Sequence, residues 1–142
     1  MAWALWPTTS PPPRERHYRS TTACLLTDDK GLAGEHAKAA WAGMQEASQA
    51  TLIKVQYLSV QGPQTAANAS AYFNTLALQK CNVIVAAGEA PVAAMIEGHS
   101  RFPDAKHVAV DGKTKESAIV DIQATTREAI TATTKTIVSE SA

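Results

Sequence analysis

The sequence predicts an α/β fold: a five-stranded parallel sheet covered by helices on both faces, three layers in all. Three observations carry the prediction. Short apolar, β-rich runs alternate with segments whose apolar residues recur at helical spacing. One run, Asn82-Val-Ile-Val-Ala-Ala87, is too continuous for a half-exposed strand and reads as central, with both faces covered. The chain has 142 residues, room for one domain of ordinary size and not for two.

Element by element, Ala23-Cys-Leu-Leu-Thr27 is a buried strand stopped by the turn Asp28-Asp29-Lys30-Gly31. From Gly34 to about Gln49, Ala37, Ala40, Trp41, Met44 and Ala47 share one helical face. Leu52 to Val60 is the second strand, closed by Gly62-Pro63. Thr65 N-caps a helix whose Ala69, Tyr72, Phe73 and Leu76 share a face and which ends near Lys80. After the central strand and Gly88, Pro91 fits the first turn of a helix that reaches about His99, and Phe102-Pro103-Asp104 forces a turn. His107–Asp111 and Ser117–Ile122 are strands four and five, and a Thr- and Ala-rich helix from about Thr125 to Ser139 closes the chain. Such alternation implies right-handed crossovers and strand order 2-1-3-4-5, the flavodoxin-like form of the doubly wound fold.

The domain occupies residues 21–142, and residues 1–20 form a Pro-rich tail or membrane-proximal linker. Pro7 and Pro11-Pro12-Pro13 prevent regular structure, and Arg14-Glu-Arg16-His-Tyr-Arg19 is a charged, solvated stretch. The opening Met1-Ala-Trp-Ala-Leu-Trp6 is far short of the roughly 20 apolar residues that span a bilayer. Trp3 and Trp6 before a Pro-rich stalk nevertheless look like the outer end of an anchor lying upstream of Met1 or truncated there. The expected location is therefore extracytoplasmic and membrane-anchored, or cytoplasmic if no anchor exists. Thirteen basic and thirteen acidic residues cancel, which argues against a polycationic nucleic-acid binder.

In doubly wound folds ligands bind at the carboxyl ends of the strands, near the switch in strand order. That edge carries Thr27, Asp28, Asp29, Ser59, Gly88, Glu89 and Asp111, the candidate ligand-binding residues. The Asp28-Asp29 pair is a turn device first and a ligand element second. A phosphate-accepting Asp at the end of the third strand is absent, since Ala86-Ala87-Gly88 stands there. His17, His36, His99 and His107 are scattered and form no expected cluster, and no catalytic motif or metal-ligand spacing is present, so neither enzyme, metal nor cofactor is expected. Trp41 reads as core. Cys24 and Cys81 fall near the same ends of strands one and three. Neighbouring strands lie about 4.8 Å apart, so a disulfide is geometrically open; two buried thiols are the alternative.

The segments Leu25-Leu-Thr-Asp28, Ala40-Trp-Ala-Gly-Met44, Val83-Ile-Val-Ala-Ala-Gly88 and Arg101-Phe-Pro-Asp-Ala-Lys-His-Val-Ala-Val-Asp111 together resemble the basic-membrane-protein (BMP) family. These are nucleoside-class substrate-binding lipoproteins of ABC transporters with the periplasmic-binding-protein type 1 fold. The likeness runs from about Ala23 to Asp111, most of the first lobe of such a protein. It implies a nucleoside-like small-molecule ligand and a membrane or transport-protein partner. Two departures accompany it. The loop Asp28–Gly34 is shorter than the family's and has neither its Phe nor its Asn, and the length matches one lobe of a two-lobed receptor. The reading is a non-catalytic, extracytoplasmic solute-binding or sensing module that self-associates through surfaces a second lobe would cover. A protein-interaction or structural module derived from such a lobe is one alternative, and a small metal-dependent enzyme using Asp28, Asp29 and Asp111 is another.

Overall fold

The computed structural model describes residues 18–124 and 126–142, so the proposed anchor segment and most of the tail lie outside the described residues. Five strands, β1 (Thr22–Thr27), β2 (Lys54–Ser59), β3 (Val83–Ala87), β4 (Lys106–Val110) and β5 (Ile119–Ile122), form one sheet in the order β2-β1-β3-β4-β5. Every pairing is parallel. The helices are α1 (Glu35–Thr51), α2 (Ala66–Leu78), α3 (Glu89–Gly98) and α4 (Arg127–Glu140). The expected α/β fold, strand order and layers are the observed ones.

Strand alternation sorts the core into two halves. Ala23, Leu25, Val83, Val85, Val108 and Val110 point to the α1–α4 layer, where Ala40, Met44, Ala47, Ile130 and Val138 meet them. Cys24, Leu26, Ile84, Ala86 and Ala109 point the other way, to Phe73, Leu76, Ala94 and Met95 of the α2–α3 layer. β3 is buried along its whole length, as its unbroken apolar sequence requires. Trp41 is only half-buried and packs edge-to-face on Tyr57 of β2, ring centroids 5.3 Å apart.

The fifth strand begins at Ile119 rather than Ser117 and α2 ends at Leu78 rather than near Lys80; two further differences from the sequence reading have identifiable reasons. Leu52 and Ile53 look β-prone, yet α1 runs on to Thr51 and Leu52 caps it in the left-handed conformation (φ 63°), its N–H donated to the Ser48 carbonyl at 2.9 Å. Cys81 is not on the third strand; it precedes β3 in the turn after α2. It is still bonded to Cys24 with Cα atoms 6.0 Å apart, because that turn brings the chain back beneath the start of β1. The described residues contain no free cysteine.

β4 and β5 are joined without a helix. Residues 111–118 make the parallel crossover with Asp111, Lys113 and Lys115 all at positive φ (53°, 46° and 57°). The Asp121 carboxylate holds the loop, accepting from the backbone N–H and hydroxyl of Thr114 at 3.0 Å each.

Candidate functional site at the carboxyl edge of the sheet

The carboxyl ends of β1, β3 and β4 and the first turns of α1 and α3 enclose two hollows that share His36 and Gly88. The larger, about 390 Å³, is lined by Glu89, Val92, Ile96, Val110 and Asp111 among others. The smaller, about 280 Å³, is lined by Asp28, Lys30, Glu35 and Ala87. They straddle β3 beside β1, the place where the strand order reverses.

The helix starts around these hollows differ from the others. α2 and α4 begin with threonine caps: the Thr65 and Thr126 hydroxyls accept from Asn68 N–H (3.2 Å) and Ala129 N–H (3.3 Å). α1 and α3 begin at Gly34 and Gly88, which have no side chain to cap them. Their first-turn N–H groups therefore face the edge without a side-chain acceptor, while Glu35 and Glu89 supply negative charge against the helix dipoles. Gly88 is required twice over. Its φ is +117°, and a Cβ there would come within 3.2 Å of the Asp28 carboxylate.

The structure brings four of the seven candidate residues together: Asp28, Gly88, Glu89 and Asp111. Asp28 also does the turn work expected of it, one oxygen accepting the Lys30 N–H at 3.0 Å. Thr27 is fully buried and lines neither hollow; its hydroxyl donates to the Asp28 carbonyl and is 2.9 Å from the Ser59 hydroxyl, so this pair ties β1 to β2. Asp29 is exposed in the turn and lines neither hollow. Among the described residues, no group of three or more His, Cys, Asp or Glu is placed to hold a metal ion, so Asp28, Asp29 and Asp111 do not converge into a metal site.

Sequence reasoning that counted only strand ends missed His36, the one side chain common to both hollows. It missed the apolar wall as well, although Glu89, Val92, Ala93 and Ile96 fall on one helical stripe that starts at the edge. Nor did it foresee that His99 and His107 come together, ring centroids 5.9 Å apart, under the end of α3. Residues 99 and 107 are close because the turn at Phe102 and Asp104 reverses the chain between α3 and β4.

Comparison with solved structures follows this geometry. A provisionally assigned lipoprotein fragment from Peptoclostridium difficile 630 superposes with TM-score 0.69 at 16% identity, over 86% of this chain and 98% of that one. An ABC transporter solute-binding protein from Aeropyrum pernix K1 gives 0.57 at 19% identity, over 70% of this chain and 28% of that one. These likenesses are of fold, at low sequence identity. A transcriptional activator of the comK gene from Bacillus halodurans superposes with TM-score 0.57 at 21% identity, over 70% of this chain and 33% of that one. The chain thus spans about a third of the length of these last two proteins. No protein-family model matches the chain, and no curated protein does.

Proposed function

We propose that the protein is a non-catalytic, extracytoplasmic solute-binding or sensing module, anchored to the membrane through a segment upstream of its Pro-rich tail, which takes a small molecule at the carboxyl edge of its sheet. One observation carries this reading: two hollows meet at His36 and Gly88 at the reversal of strand order, where doubly wound folds take their ligands. Their walls suit a ligand with an apolar body and several hydrogen-bonding groups. Val92, Ile96 and Val110 offer the apolar side, the first turns of α1 and α3 offer N–H donors, and Asp28, Glu89 and Asp111 offer acceptors. A nucleoside, the ligand class that the BMP resemblance implies, has both kinds of surface. The Cys24–Cys81 bond supports a location outside the cytosol, where disulfides persist.

Thermal denaturation with a panel of purine nucleosides and divalent cations tests the reading. A nucleoside present at a hundred times its Kd stabilises by about 2.7 kcal/mol, a shift of several degrees. Asp111→Asn, which keeps a side chain that tolerates the positive φ of that residue, and Glu89→Gln are expected to abolish that shift and leave the ligand-free melting temperature almost unchanged. A flat response throughout sinks the binding reading and favours an interaction module. In that case self-association along β2, an edge strand with Tyr57 about half exposed, should appear by light scattering. Stabilisation by a cation alone would instead favour the metal-dependent alternative.

A further inference from the structure

Beneath the last turn of α3 lies a cluster that ligand binding does not use. His107, on the α2–α3 face of β4, is 3% exposed, and its Nε2 has no hydrogen-bond partner among the described residues. The Phe73 ring lies tilted against it with centroids 5.7 Å apart, and the His99 ring meets it nearly edge-on at 5.9 Å. His99 Nδ1 lies 3.1 and 3.0 Å from the Met95 and Ile96 carbonyls, so the nitrogen facing them donates and the ring is fixed to the end of α3. The packing there is close. A Cβ on Gly98 would come within 2.9 Å of the Phe73 ring.

The groups that face the pair offer a second positive charge nothing to pair with. From α2 come Phe73 and the neutral Asn74, which accepts from Arg101 at 3.1 Å. From the turn after α3 come His99 and Arg101, both basic; from β3 and β5 come Ile84 and Ile119, the register partners of His107. The carboxylate of this turn, Asp104, lines a separate surface hollow with Lys80 and Arg101, and Glu97 of α3 is exposed. Burial, and then the neighbouring His99 charge, push the His107 imidazole down from its ordinary range to about 4.

We propose that His107 and His99 form an acid-operated latch: protonation of His107 expels the end of α3 from the sheet and, with it, the Val92–Ile96 wall of the carboxyl-edge hollow. A protonated His107 has two N–H donors, of which Nε2 faces no acceptor, and a charge beside two basic groups in an apolar layer. The strain is relieved when α3 lifts and the ring reaches water. Because α3 carries the latch at one end and the hollow's wall at the other, acid weakens the site. The consequence for ligand release rests on the solute-binding reading, whereas the latch itself does not.

The test separates the two. Amide hydrogen exchange on the ligand-free protein, corrected for the intrinsic pH dependence of exchange, should show α3 opening more as pH falls from 6.5 to 4, by about 80-fold, approaching tenfold per unit midway between the two values. Amides of α4 should not show this increment. The His107 ring protons should titrate near 4 by NMR in the wild-type protein, a measurement that needs no variant, and His99→Gln should raise that midpoint. Titration near 6.5, or α3 protection that tracks α4 throughout, overturns the latch. If α3 opens in acid but no nucleoside binds at any pH, the latch stands and the binding reading fails. If a nucleoside binds at pH 7 and α3 stays closed in acid, the latch alone fails.

Discussion

The two faces of the sheet are covered in physically different ways. On the α1–α4 face the helices meet backbone to backbone: a Cβ on Gly43 would overlap the Thr131 carbonyl oxygen and come within 3.0 Å of Lys135 N, and the Thr131 hydroxyl donates to the Ala39 carbonyl at 2.8 Å. The core between them is aliphatic. On the α2–α3 face the same sheet is closed by a disulfide, two phenylalanines and a pair of imidazoles. The first face depends on close packing and on a hydrogen bond between uncharged groups. The second depends on redox state and pH. Reductant and acid should therefore loosen α2 and α3, while single-atom changes of volume should loosen α1 and α4.

The largest expected effect is reduction of Cys24–Cys81. The bond spans 57 residues of sequence, and loop-closure entropy alone gives about 4 kcal/mol for a ring of that size. Urea denaturation of Cys24→Ser/Cys81→Ser against the wild type reads it. A loss under about 1 kcal/mol would show that the Gln56 amide, 3.2 Å from Cys24 Sγ, and the surrounding apolar packing hold this corner without the bond.

Acid comes next. The folded His107 value lies below the unfolded one, so between pH 6.5 and about 4 the unfolded state binds more protons and stability falls as pH falls. His107 adds no penalty above pH 6.5 and its full penalty, roughly 3 kcal/mol at 1.36 kcal/mol per unit, below about 4. His107→Leu removes the titration. The stability difference between it and the wild type should therefore shift in favour of the variant by that amount as pH is lowered, and a difference constant with pH would refute the assignment.

On the other face, Gly43→Ala should destabilise by about 2 kcal/mol despite alanine's higher helix propensity, because the obstructing atoms belong to the α4 backbone and cannot rotate away. Stability equal to the wild type would mean that the two helices separate at almost no cost.

These effects differ in how far the sequence announces them. Alternation and helical spacing were enough for every strand, every helix and the strand order, because each buried face is apolar at the right period. The disulfide was visible as a possibility, since register alone puts Cys24 near the start of β3. At the candidate site Asp28, Gly88, Glu89 and Asp111 were legible because strand ends mark the edge. His36 was not, since its place depends on where the first turn of α1 sits over β3. The His99–His107 pair and the role of Gly43 were hidden for a common reason: both arise from contacts between elements far apart in sequence or across a turn, where no periodicity speaks.

The smallest effect tests the aliphatic face from within. Thr134 of α4 is 1% exposed and its hydroxyl has no hydrogen-bond partner among the described residues, at the point where α4 meets Gly43. A buried hydroxyl that has lost water and gained nothing costs on the order of 1–3 kcal/mol, and valine keeps nearly the same shape without it. Thr134→Val should stabilise the protein by up to about 1 kcal/mol, part of the gain being lost because a methyl must fit where an oxygen was. Thermal melts at pH 7 and pH 5 measure it, and the increment should be equal at both, since neither threonine nor valine carries a titratable group. A gain that changes with pH would mean that the two faces are coupled through the sheet, and that the division between a shape-held face and a condition-dependent one is wrong.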